Sequence, residues 1–321
     1  ELGNRVTVGR NRRFSDLDAD TLHNRVFGLA AQTLGTEVVD PSVSFAQLGG
    51  DSLAAVSFLA AVNHALGTDI NLLELLDAGS LQAFADRLAH RDRHPALVLR
   101  EASAQTTTSQ VVFLYPSGGD CSCYAPLIEG LPGNCRLIAV NPSPDRTAMS
   151  LDELAQHGLE HTHELLRRDL PTVFVGWSLG AVLAQSMAGQ WRARAEAGIQ
   201  LLMIDPIRPP RAPSQSEVRA LVTSMLDRIA PDTGLSAAAP ATLEARVAHE
   251  LNLLATHRPA PLSVEAAIFL ASQCFAGPEW DTETLWRETL PNAHIQRLEG
   301  DHVDLLSQPQ VRDRLRALVS V

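Results

Sequence analysis

Apolar residues in the first quarter of the chain recur every three to four positions. Leu22, Val26, Leu29, Ala30 and Leu34 fall on one side of a helix that Ser15 or Asp16 could cap and Gly35 ends. A loop through Asp40-Pro41 to Phe45 and the pair Gly49-Gly50 leads into a second helix, from about Asp51 or Ser52 to Leu66. Ile70 to Leu76 reads as a short third helix, and Leu81 to about His90, capped by Ser80, as a fourth. Four short amphipathic helices in this span predict a small bundle.

Beyond residue 90 the period changes. A polar stretch at 91–95 marks a domain boundary, and Leu97-Val98-Leu99 starts the next part as a short strand. Apolar runs at 111–115, 136–140, 172–175, 199–204, 266–270 and 294–298 read as strands. Between and after them, 152–166, 181–195 and 311–319 carry helical periodicity. This alternation predicts a mostly parallel sheet with helices on both faces. The stretch 206–262 breaks the rhythm with Pro206, Pro209, Pro210 and Pro213 and with helical pieces near 215–229 and 241–256. It is expected to be a helical insertion that lies over the sheet as a lid.

Composition narrows the chemistry. The chain has 321 residues, 45% of them hydrophobic, enough for two domains with cores of their own. A formal charge of −11 disfavours nucleic acid and anionic membrane surfaces as partners. All 26 basic residues are arginine. Without lysine there is no Schiff-base or pyridoxal anchor and no Gly-Lys-Ser/Thr phosphate loop. Cys121, Cys123, Cys135 and Cys274 form neither a disulfide framework nor a spacing that completes a metal site, and His161 and His163, two apart, face different sides of a helix. No metal is expected. No apolar run reaches the roughly 20 residues of a membrane span, and a reduced, cytoplasmic setting is the expectation. The first residue is Glu1 and not Met, as expected of a piece of a longer chain.

Two serines concentrate the chemistry. The run Leu48-Gly49-Gly50-Asp51-Ser52-Leu53 precedes a helix. A serine there can simply be a cap. A helix start also favours a phosphodiester, because free N–H groups and the helix dipole meet an anion there. In its four-helix setting the run resembles the attachment motif of peptidyl carrier domains of nonribosomal peptide synthetases. The resemblance covers residues 15–90 and implies 4′-phosphopantetheine held covalently on Ser52. It also implies a phosphopantetheinyl transferase that installs the arm and upstream synthetase domains that load it.

The second serine lies in Gly176-Trp177-Ser178-Leu179-Gly180, after a predicted strand and before a helix. This is the context of the nucleophile elbow of α/β-hydrolases. A serine nucleophile needs a base and an orienting acid, in the chain order Ser, Asp or Glu, His. His302, after the last strand, supplies the base. For the acid, Asp205, Glu279, Asp281 and Asp301 all fall after or near strand ends. The backbone N–H of Leu179 is one expected oxyanion donor.

Residues 96–321 look like the type I thioesterase domain that ends nonribosomal peptide synthetases. That resemblance implies Asp205, 27 residues after Ser178, as the acid, and the N–H of Ser117 in Pro116-Ser117-Gly118-Gly119 as the second oxyanion donor. Trp177 departs from the tyrosine or histidine often seen beside this serine and reads as packing or as part of the acyl pocket. The implied function is release of a peptidyl thioester from the arm on Ser52 through an acyl-enzyme on Ser178, by hydrolysis or macrocyclisation. An arm of about 18 Å, the length of five extended residues, requires the linker near 91–95 to let the carrier reach the lid mouth. Three alternatives stay open: an acyltransferase that passes the group to an external hydroxyl or amine, a non-catalytic shuttle in which the hydrolase fold only docks the carrier, and a polyketide-type carrier–thioesterase.

Overall fold

The computed structural model of the protein describes residues 19–66, 70, 74–75, 78–91, 96–102, 107–118, 121–142, 149–229, 241–273 and 280–320. The expected tail at 1–14, the cap at Ser15 or Asp16, most of the helix at 70–76, Cys274 and Glu279 lie outside them. The chain divides into two compact units, Glu1–Ile70 with Ala78–Arg93, and Asn71–Asp77 with His94–Val321.

In the first unit, helices α1 (Ala19–Leu34), α2 (Ser52–Leu66) and α3 (Leu81–Arg91) turn their apolar stripes to one core. Leu22, Val26 and Ala30 meet Phe58, Val62, Leu81, Phe84 and Leu88 there, all buried. Gly35 ends α1 at φ +67°, a conformation glycine adopts without strain, and the Thr36 N–H reaches back to Ala31 O at 3.0 Å. The loop before α2 is anchored by Phe45, whose ring stacks on Phe58 at a centroid distance of 4.8 Å.

The second unit is built on a seven-stranded sheet of order β1-β3-β2-β4-β5-β6-β7. Its strands are β1 (Ala96–Arg100), β2 (Ser109–Leu114), β3 (Cys135–Val140), β4 (Thr172–Trp177), β5 (Ile199–Ile204), β6 (Glu265–Ala271) and β7 (Ala293–Leu298). β1 runs antiparallel to β3, and every other neighbouring pair is parallel. β2 and β4 are buried along their whole length, which is why they read as continuous apolar runs and not as alternating ones.

The helices of this unit are α4 (Ala125–Ile128), α5 (Leu151–Thr162), α6 (Leu179–Trp191), α7 (Gln215–Ile229), α8 (Ala241–Thr256), α9 (Glu283–Thr289) and α10 (Pro309–Val319). α5 starts with a reciprocal capping box between Ser150 and Glu153 and packs on α6, which lies across β2, β4 and β5. The insertion between β5 and β6 supplies α7 and α8, which pack on each other. Two short helices were not expected from the sequence, α4 and α9, the latter anchored by the buried Trp286. His161 lies 3.1 Å from His157, one turn earlier on α5.

Candidate active site

In a parallel sheet, the chain leaves every strand at the same edge, so groups from distant parts of the sequence converge there. Ser178 follows β4 and opens α6 with φ +58° and ψ −124°, a strained conformation for a residue with a Cβ. Its N–H donates to Ile204 O at 3.0 Å on the neighbouring strand. The flanking glycines are required by space. A Cβ on Gly176 would lie 2.0 Å from Gly180 O, and one on Gly180 would lie 2.4 Å from Leu114 O. The helix can therefore turn back tightly against β2 and β4 only with hydrogen at both positions, and this holds Ser178 at the top of the sheet.

Asp205 ends β5 and is the other non-glycine residue with positive φ, +40°, among those described. One carboxylate oxygen accepts from the Ala271 N–H at 2.9 Å, and the other lies 2.7 Å from His302 Nδ1. A carboxylate only accepts, so Nδ1 donates, and in the neutral ring the lone pair is then on Nε2. His302 is held from two further sides. The Trp177 indole N–H donates to the His302 carbonyl at 2.9 Å, and the two rings lie 4.8 Å apart. The loop that presents His302 turns at Gly300, φ +115°, and is closed by Asp301, which accepts from the N–H groups of Val303 and Asp304.

Two of the rival acids, Asp281 and Asp301, are engaged elsewhere. Asp301 is committed to that turn. Asp281 pairs with Arg297 at 2.8 Å and accepts from the Glu283 N–H at 3.0 Å. Its side chain is 43% exposed, against 14% for Asp205.

Ser178 and His302, each 4% exposed, line one cavity of about 350 Å³ including its mouth. Pro116 and Ser117, from the turn after β2, line it on one side. Ile207, Leu221, Met225, Val247 and Leu251 of the insertion give it an apolar wall. Among the described residues, neither the Ser117 N–H nor the Leu179 N–H donates to another group. The Gly118 N–H, by contrast, donates to Glu250 Oε2 at 3.0 Å, and the Ser117 hydroxyl donates to the same oxygen at 2.5 Å.

Two supporting residues were missed in the sequence. Glu250 is one. The other is Tyr124, whose hydroxyl donates to Leu114 O and accepts from the Trp177 N–H, both at 2.7 Å, and so ties the end of β2 to the elbow. Burial pushes that hydroxyl well above its usual pKa range, with Cys123 and Cys121 adding to the effect, so it keeps the proton it donates.

In the first unit, Ser52 is the first residue of α2. The cap is Asp51, whose carboxylate accepts from the Ala54 N–H at 2.8 Å. Gly49 takes φ +93°, and a Cβ on Gly50 would fall 2.2 Å from the Phe45 ring. The double glycine thus lets the loop close over the aromatic core directly before the helix start. The first turn of this 15-residue helix carries no acidic residue of its own beyond the Asp51 cap. No group of three His, Cys, Asp or Glu among the described residues is placed to hold a metal ion, and no described helix is long and apolar enough to cross a membrane.

Two family models match separate parts of the chain. The thioesterase domain model matches residues 109–318, and the phosphopantetheine attachment site model matches residues 24–88. Enterobactin synthase component F of Escherichia coli (strain K12) is 26% identical over 298 residues, which cover 85% of this chain and 22% of that protein. A dimodular nonribosomal peptide synthase of Bacillus subtilis (strain 168) is 26% identical over 166 residues, 50% of this chain and 7% of that protein. The chain thus spans about a fifth or less of these relatives. Among solved structures, the type II thioesterase BorB from the borrelidin biosynthetic cluster has a TM-score of 0.55 at 20% identity, covering 70% of this chain and 97% of that one. A four-domain nonribosomal peptide synthetase, holo-AB3403, has a TM-score of 0.54 at 18% identity, covering 100% of this chain and 27% of that one. At these identities the structural likeness is one of fold.

Proposed function

Because this chain belongs to the thioesterase family and also carries a phosphopantetheine attachment domain, we propose that it is the terminal carrier–thioesterase pair of a nonribosomal peptide synthetase and releases the finished acyl chain. The carrier is residues 15–90, the thioesterase 96–321, and the lid about 206–262. Ser52 holds the phosphopantetheine arm at the start of α2, and the arm supplies the thiol on which the acyl group arrives as a thioester. A phosphopantetheinyl transferase installs the arm, and upstream synthetase domains load it.

Asp205 accepts the Nδ1–H of His302, which leaves Nε2 to take the Ser178 proton. Ser178 Oγ attacks the thioester carbonyl, and the N–H groups of Leu179 and Ser117 donate to the oxyanion that forms. Each such donor is worth roughly 10²–10³ in rate. As the C–S bond breaks, His302 returns the proton to the leaving sulfur. Water, or an amine or hydroxyl of the acyl chain itself, then opens the Ser178 ester while His302 takes that nucleophile's proton and passes it to the departing Ser178 Oγ. The apolar wall of Leu221, Met225, Val247 and Leu251 favours acyl chains over charged substrates.

The observation that carries this reading is the 2.7 Å contact between Asp205 and His302, beside the strained Ser178 in one cavity. A fluorophosphonate probe tests it. Labelling is expected at Ser178 in the native chain and to vanish in Ser178→Ala. Labelling of Ser178→Ala at the native rate would place the nucleophile elsewhere.

A further inference from the structure

Helix α8 buries Leu243, Val247, Leu251 and Leu254, and Val247 and Leu251 line the cavity. Glu250 lies among them in the helix and is only 3% exposed. A carboxylate survives at such depth only where polar partners offset its desolvation. Two of its partners are the Ser117 hydroxyl and the Gly118 N–H, both on Oε2. They belong to the turn whose other face lines the cavity beside Ser178. Gly118 itself stands at φ +71°, so the turn has a defined and unusual backbone path.

We propose that Glu250 is a positioning residue for the oxyanion turn, carried by the lid helix. By taking the Gly118 N–H and the Ser117 hydroxyl, it sets the orientation of the peptide plane that presents the Ser117 N–H to the reacting carbonyl. It thereby makes the oxyanion site depend on where α8 lies. This inference rests on the proposed roles of Ser178 and Ser117. Both contacts use a single oxygen, so an amide oxygen in the same place can accept the same two hydrogen bonds, whereas a methyl group cannot.

The test uses the full chain, the hexanoyl thioester of N-acetylcysteamine as substrate, and hexylboronic acid, which forms a tetrahedral adduct on a serine nucleophile. Glu250→Ala is expected to lower kcat about 10²-fold, the cost of a misplacement near 1 Å, with KM unchanged. The boronate inhibition constant should rise by a similar factor. Glu250→Gln should stay within about threefold of the native chain, in line with its preserved acceptor. Ser117→Ala, which keeps the N–H but loses one hydrogen bond to Glu250, should lose about tenfold in both kcat and boronate affinity. Should Glu250→Ala not fold, Ser117→Ala and Glu250→Gln carry the test. Native kcat in Glu250→Ala or in Ser117→Ala overturns the inference, as does a loss of kcat without a parallel loss of boronate affinity. A native chain that the boronate does not inhibit overturns the catalytic reading itself, and the inference with it.

Discussion

At the scale of single residues, the site depends on a few contacts that fix orientation. Asp205→Asn keeps the shape of the acid but can turn the wrong tautomer of His302 toward Ser178. It should lower kcat by about 10³–10⁴, as is general for such an exchange. Asp281→Asn should stay within about twofold, since it removes an exposed ion pair. Equal rates of thioester hydrolysis in the two variants would remove Asp205 from its role. Trp177→Phe keeps the ring against His302 and deletes the indole N–H, and should cost about tenfold in kcat. Ser178 was proposed from the sequence because its motif stood between a predicted strand and helix, and it does lie between β4 and α6. Asp205 was not legible from the residues alone, because Asp281 also follows a strand that ends at the same edge. What separates them is the Arg297 beside one and the His302 beside the other, both facts of tertiary structure. Trp177 was legible as packing or as part of the acyl pocket, which it lines, but its hydrogen bond was not, since a sequence does not show which carbonyl an indole will reach. Glu250 did leave a sign, a carboxylate in the apolar stripe of a helix.

At the scale of elements, the tightest constraint is the close approach of α6 to β2 and β4. Gly180→Ala drives a methyl group into backbone atoms of Leu114 and Tyr115 that cannot move aside. A loss of about 3 kcal/mol or more is expected, read by urea denaturation. His257, buried after the end of α8, makes this unit sensitive to acid. Desolvation holds its pKa below the usual 6.5; Asp152, at 4.0 Å, opposes this, and Arg208 and Arg258 reinforce it. Between the folded value and 6.5 the unfolded chain binds more protons, so stability falls as pH drops below about 6.5. His257→Leu should flatten the fall in Tm as pH drops below about 6.5, and an unchanged slope would contradict that assignment. Most strands and long helices could be read from periodicity, and the insertion helices were placed at 215–229 and 241–256, where they stand. The missed α9 is seven residues long with Trp286 as its one large buried anchor, too short for a repeating pattern to emerge.

At the scale of the whole molecule, the chain divides into two compact units, and the polar stretch at 91–95 is where the sequence pattern changes period. Ser52→Ala should abolish the mass gain produced by a phosphopantetheinyl transferase while hydrolysis of a soluble thioester continues at the native rate. Loss of both would mean that the two units do not act separately. The central claim is that the acyl group passes from the arm on Ser52 to Ser178. The most direct measurement loads the full chain with an acyl-pantetheine and follows intact mass and peptide mass over time. The native chain should show the acyl group leaving the Ser52 peptide and appearing transiently on the Ser178 peptide, and Ser178→Ala should keep it on Ser52. Discharge of Ser178→Ala at the native rate would contradict the account.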